Sequence, residues 1–175
     1  MPYSAVSYVI FTISILAVAA FAVLYFASLQ YSIAARALEI QAREVAAYVA
    51  RNVVELLSLA NSSSSELLLK ELEIPPELGG HGYTLTLTER NGALVALVEV
   101  EGVPRVAVAA PVTRLSSALS LDCGDCSAIE LDDIRVVPTR EVHSGHAALE
   151  DRKVVVWIQR RGGVLVLGLG IARRW

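Results

Sequence analysis

The chain has 175 residues, of which 54% are hydrophobic and 19% charged, and its formal net charge is −3. Its length allows one domain with an appendage and a single modest core. The mean hydropathy of +0.52 is high for a soluble domain, and the cause is local, because no charged side chain precedes Arg36. That pattern excludes a plain cytosolic enzyme and a disordered chain. The small negative charge gives no reason to expect nucleic acid, which demands a clustered basic face. No small-molecule substrate site is evident either.

From Ala5 to Leu29 the chain reads AVSYVIFTISILAVAAFAVLYFASL, uncharged and mostly apolar. About 20 such residues suffice for a helix to cross a hydrocarbon layer of ~30 Å, so this one spans it with some tilt. Tyr3, Tyr8, Tyr25 and Tyr31 lie toward its two ends, where amphipathic rings favour the membrane interface. AVA and AFA triplets between Ala17 and Ala22 leave a cleaved secretory peptide as the alternative. No Lys or Arg precedes the apolar run, however, and the run exceeds a usual signal core, which favours an uncleaved anchor. Ile10, Ile13, Ile15, Leu16, Phe21, Leu24 and Phe26 are the candidate packing residues, against lipid or against copies of the same helix.

The helix is expected to continue past the membrane. From Gln30 to Ala60 there is no Gly or Pro. Leu38, Ala42, Val45, Val49, Val53, Leu56 and Ala60 recur at three- and four-residue steps as one apolar stripe. Glu39 and Arg43 form a favourably ordered i,i+4 pair. Breakers arrive only at Asn61-Ser62-Ser63-Ser64-Ser65, so a continuous helix from Ala5 to Ala60 would be a rod of roughly 80 Å. Its first half suits lipid and its second half a partner surface.

Residues 61–73 read as a Ser-rich linker followed by one or two more amphipathic turns over Glu66 to Glu73. Pro75-Pro76 and Gly79-Gly80 close this segment. Strand patterns follow. Tyr83 to Thr88 alternates strictly, putting Leu85 and Leu87 on one face. Asn91-Gly92 turns the chain into Ala93 to Val100, and Glu101-Gly102 into Val106 to Val112. Val154 to Gln159 and Val164 to Ile171 flank Arg160-Arg161-Gly162-Gly163 as a hairpin. Leu115 to Leu121 and Ile134 to Val137 are weaker strand candidates. The expected fold class is therefore α+β overall: a long N-terminal hydrophobic helix (1–60), the linker (61–73) and a small all-β, sandwich-like domain (74–175). VVVWI, VLVLGLGI, LVALV and VAVAA are apolar on both faces, unlike a half-exposed sheet. Either these strands are central in a small sandwich or their outer faces pack on neighbouring subunits.

A resemblance can be placed on these residues. An uncharged N-terminal helix, an amphipathic extension and a small β domain together resemble the archaeal type IV pilin superfamily. The stretch Glu73-Ile74-Pro75-Pro76-Glu77-Leu78-Gly79-Gly80-His81-Gly82-Tyr83-Thr84-Leu85-Thr86-Leu87 is similar to a pattern found after that helix in archaeal pilin-like surface proteins: an apolar-Pro step, a Gly pair, then an aromatic-led strand. The resemblance implies a non-enzymatic structural protein whose partners are the lipid bilayer, copies of itself, or other pilin-like or envelope proteins. Such pilins carry a basic and a small residue before the apolar run, where a peptidase cuts, and nothing before Tyr8 supplies that charge. An unprocessed relative would resemble the anchored stator proteins of the archaellum, which hold a β-sandwich outside the membrane. Arginine far exceeds lysine (only Lys70 and Lys153), and Asn and Gln are scarce, in keeping with a thermophilic source.

One constellation carries possible chemistry. Cys123-Gly124-Asp125-Cys126 is followed by His143-Ser144-Gly145-His146. Two thiolates and two imidazoles make a tetrahedral zinc set by type, with a His spacing shorter than usual; such a site would be structural and closed. A Cys123–Cys126 disulfide and a pair of free thiols are the alternatives. No other cofactor is indicated. Ser144 with a neighbouring His can be drawn as a nucleophile pair, but no strand–elbow–helix pattern surrounds it. The carboxylates of Glu130-Leu131-Asp132-Asp133 lack the spaced loop that calcium needs. Asn61-Ser62-Ser63 is a glycosylation sequon with Asn61 as acceptor, meaningful only outside the cell. Arg36, Arg43 and Arg51 follow the span, which by the positive-inside tendency would put the β domain in the cytoplasm. The sequon, the possible disulfide and the pilin resemblance favour the outside, which is the expected location.

Overall fold

Sixty residues without Gly or Pro form one helix, α1 (Tyr3–Ser62). The computed structural model describes residues 3–103, 106–114, 119–121, 128–131, 134–146 and 152–174. After α1 come β1 (Leu67–Leu72), β2 (Tyr83–Arg90), β3 (Ala93–Val100), β4 (Ala107–Arg114) and β5 (Leu119–Leu121). They are followed by β6 (Ile129–Leu131), β7 (Ile134–Thr139), β8 (Glu141–His143), β9 (Arg152–Arg161) and β10 (Val164–Arg174). The protein is α+β: a long apolar helix, then two sheets built almost entirely of antiparallel pairs. One sheet runs β1-β9-β10-β7-β6, with the short β5 parallel to β10 beside β7; the other runs β4-β3-β2-β8.

The chain forms two compact units that divide after Ala37. The reason is the predicted stripe. Leu38, Ala42, Val45, Val49, Val53, Leu56 and Ala60 are all buried, joined by Ala46 and Ala50. They share one core with Leu72, Leu85, Val98, Val142, Val156 and Leu167. The partner surface of the amphipathic extension is thus the chain's own sheets. Each fully buried Val or Leu stabilises by about 1.5–3 kcal/mol, and the small Ala residues let the backbone approach. Asn52, the polar residue buried in this stretch, donates to the Tyr48 carbonyl one turn back at 2.8 Å.

Residues 67–72 form a strand where one or two helical turns were expected. β1 pairs with β9 in register, Leu68 opposite Ile158 and Leu69 opposite Trp157. Three consecutive leucines can serve two faces only with a period of two: Leu68 packs on the main core, Leu67 and Leu69 on a second cluster. A segment as short as LLLKEL is ambiguous by periodicity alone, and pairing with β9 decides it.

The hairpins form where the turn residues placed them. Asn91 and Gly92 have φ of 53° and 70°, and Gly162 and Gly163 have 56° and 86°. These are two-residue turns with both φ positive, whose twist matches that of the strands they join. The alternation of Tyr83 to Thr88 also holds, with Tyr83 and Leu85 buried. The Tyr83 hydroxyl donates to the Pro75 carbonyl at 2.6 Å.

The two-faced apolar strands have a cause inside the chain. Val154, Val156 and Ile158 of β9 face the main core, while Val155 and Trp157 face the second cluster with Ile129, Val136 and Ala172. The Trp157 indole is fully buried and lies against two glycines of β10. Its Nε1 donates to the Leu169 carbonyl at 3.0 Å. A Cβ on Gly168 would stand 2.6 Å from the ring. Gly168→Ala is therefore expected to destabilise by about 1–3 kcal/mol through overpacking. Gly145→Ala, which meets nothing within 4 Å, should be near neutral. Urea unfolding of the two variants in detergent checks the contrast.

Candidate functional sites

Between Tyr8 and Phe26 every large apolar side chain of α1 is more than half exposed, from 52% at Ile15 to 75% at Phe21. The predicted packing residues Ile10, Ile13, Ile15, Leu16, Phe21, Leu24 and Phe26 all belong to this group. Leaving so many apolar side chains in water is untenable for a soluble unit, since contiguous exposed apolar surface marks a membrane or protein contact. Among the described residues one helix is long and apolar enough to cross a membrane. Three of its hydroxyls are bonded within the helix. Thr12 donates to the Tyr8 carbonyl and Ser14 to the Ile10 carbonyl, both at 2.9 Å, and Ser32 donates to the Leu29 carbonyl at 2.8 Å. Internally bonded hydroxyls enter lipid without an unpaired donor. Tyr8, Tyr25 and Tyr31 are exposed near the ends.

The zinc set divides between described and undescribed residues. Cys123 and Cys126 lie outside the described residues, so the pairing of their sulfurs does too. His143 and His146 are brought together, their ring centroids 6.3 Å apart. His143 Nδ1 lies 3.1 Å from Thr84 Oγ1 and 3.4 Å from Glu101 Oε1. Among the described residues no group of three potential metal ligands occurs.

The Ser/His nucleophile pairing does not form. The Ser144 hydroxyl is buried and accepts the Tyr83 N–H at 3.0 Å, while His143 faces Thr84 and Glu101. Of the acidic turn, Glu130 is exposed on β6, and Asp132 and Asp133 lie outside the described residues. Asn61 is exposed in the last turn of α1. Beside it Arg160 Nη2 donates to the carbonyls of Ala60 (2.7 Å) and Ser63 (3.3 Å), a cation closing a helix C-terminus.

Sequence reasoning missed the arginines around His146. Arg152 of β9 stands opposite Arg173 of β10, which stands opposite Arg135 of β7. The Gly162-Gly163 turn fixes the first pairing by counting outward along the hairpin. The second joins distant strands and leaves no local signal.

No family model, curated protein or solved structure matches the chain. Its class therefore rests on architecture: an α+β protein whose N-terminal helix can serve as a membrane anchor.

Burial first, then the charges of Arg152, His143 and Arg173, holds the His146 imidazole below the ordinary histidine value. An unfolded chain titrates histidine near ~6.5. Between that value and the lower folded one, the unfolded state binds more protons, so stability falls as pH falls. Lowering the pH from about 7 to about 5.5 should therefore destabilise the wild type more than His146→Gln, as measured by urea midpoints at each pH.

Proposed function

We propose that this protein is a pilin-like, helix-anchored cell-surface assembly protein. Its N-terminal helix packs in the membrane or against other such helices, and its β domain is carried outside. The observation that carries the reading is the contrast within α1. The large apolar side chains between Tyr8 and Ile33 stay exposed, whereas the stripe from Leu38 to Ala60 is buried in the chain's own core. A helix with its C-terminal half consumed by its own domain has only the N-terminal half to offer lipid or neighbours. The mechanism is packing, with no chemical step. Asn61, exposed at the end of the helix, is available for glycosylation on that side of the membrane.

A second reading, an anchored envelope-binding module that does not polymerise, is favoured by two particulars. The Thr12 and Ser14 hydroxyls of the span are bonded within the helix. Trp157 and Val155 of the six-stranded sheet are buried within the chain, and so are not available for lateral contacts.

Ile15→Asp places a charge near the middle of the span at about 2.5–3.5 kcal/mol. That variant should lose membrane retention roughly a hundredfold and lose assembly with it, whereas Ile15→Val should behave as wild type. Membrane flotation reads the first effect, and electron microscopy of sheared surface fractions the second. Normal retention of Ile15→Asp would refute the anchor. Retention of the wild type without filaments would select the second reading. Asn61→Gln should abolish any glycan mass on the protein recovered from its native membrane; a full-mass wild type would remove the sequon as support for an outside location.

A further inference from the structure

Directly opposed residues of an antiparallel pair share one face with Cβ atoms about 5 Å apart, and like charges placed so repel. Arg152 and Arg173 occupy such a pair, and Arg135 extends the row on the far side of Arg173. Arg135 has an interaction of its own. Arg152 and Arg173 form no ion pair among the described residues, while Glu130 stands opposite Arg135 at the far end of the row and Glu71 and Glu73 line one groove with Arg152. Arg152 is part-buried, and its Nε is wholly buried with no hydrogen-bond partner among the described residues. A guanidinium N–H removed from water without an acceptor is an unfavourable arrangement, and it points to an acceptor that arrives from outside.

The turn Ser144–His146 packs against β9 and β2 and brings the imidazole of His146 to these arginines. Ser144 holds that turn through the Tyr83 N–H. The place combines two cross-strand arginines with the imidazole of His146.

We propose that Arg152, Arg173 and His146 form a binding site for a phosphate-class oxyanion, either free phosphate or a phosphomonoester group. Two guanidinium forks hydrogen-bond two edges of a tetrahedral dianion, and the dianion neutralises both cations, which a single carboxylate does not. The site is independent of whether the helices polymerise.

The test uses the full chain in zwitterionic detergent at fixed ionic strength. Thermal unfolding is followed against increasing inorganic phosphate, with chloride and acetate as controls and glycerol phosphate as the monoester arm. The wild type should show a saturable rise in Tm with phosphate that acetate and chloride do not give. Arg173→Gln, an exposed position whose loss leaves the core intact, should weaken the phosphate midpoint about ten- to hundredfold. Preference for glycerol phosphate over phosphate would assign the site to an esterified group, and the reverse to the free ion. No phosphate-specific rise, or an equal rise in Arg173→Gln, would overturn the proposal, because the arginines are then neutralised by acids of the chain itself.

Discussion

The apolar stripe of α1 from Leu38 to Ala60 organises the globular unit, because nothing in the helix itself can bury it. Both sheets turn their inner faces to it, and polar ties fix its position along its length. At the Leu38 end, the Gly79-Gly80 turn abuts the helix so closely that a Cβ on Gly79 would stand 2.7 Å from Leu38 Cδ2. Further along, the Tyr48 hydroxyl accepts the Glu73 N–H at 3.3 Å, and Glu55 pairs with Lys70 of β1 at 2.6 Å. At the far end Arg160 reaches the Ala60 carbonyl. The exposed ion pair adds little by itself. Its value is positional, since the stripe supplies the energy and the ties select the register.

A second constraint acts on the six-stranded sheet, which is apolar on both faces. Its outer layer needs a bulky side chain to cover it and a place to lay that side chain. Trp157 and the glycines 168 and 170 of the neighbouring strand meet both needs. The indole spreads over positions that carry no side chain, and its N–H is satisfied by the Leu169 carbonyl. Alternating glycines in VLGLGI weaken the strand by propensity, and the buried area of one tryptophan offsets this. The apolar outer face of this sheet is therefore accounted for without invoking a neighbouring subunit at Trp157.

The functional reading follows from what remains unburied. With the core closed over the C-terminal half of α1, the N-terminal half keeps its isoleucines, leucines and phenylalanines exposed, and a bilayer or a bundle of like helices is the environment that suits them. The polar interest lies elsewhere, where Ser144, fixed by the Tyr83 backbone, sets a histidine beside opposed arginines. The exposed apolar stretch of α1 and the arginine row thus lie in different parts of the chain and can be altered separately.

Much of this was legible in the sequence because it is set by local geometry. The absence of Gly and Pro through 60 residues fixes α1, three- and four-residue spacing fixes its stripe, and Asn91-Gly92 and Gly162-Gly163 fix hairpins through φ angles that few other residues adopt. Counting from the second turn even places Arg152 opposite Arg173. What the sequence left open was the partner of each surface. The stripe suited any apolar face, and only the fold shows that it is the chain's own. Leu67 to Leu72 became a strand through pairing with β9, and Arg135 joined the arginine row through strands far apart in the chain. Periodicity and turn chemistry are properties of a few neighbouring residues, whereas burial and strand pairing depend on which distant segments meet. That is decided only when the whole chain closes around one core.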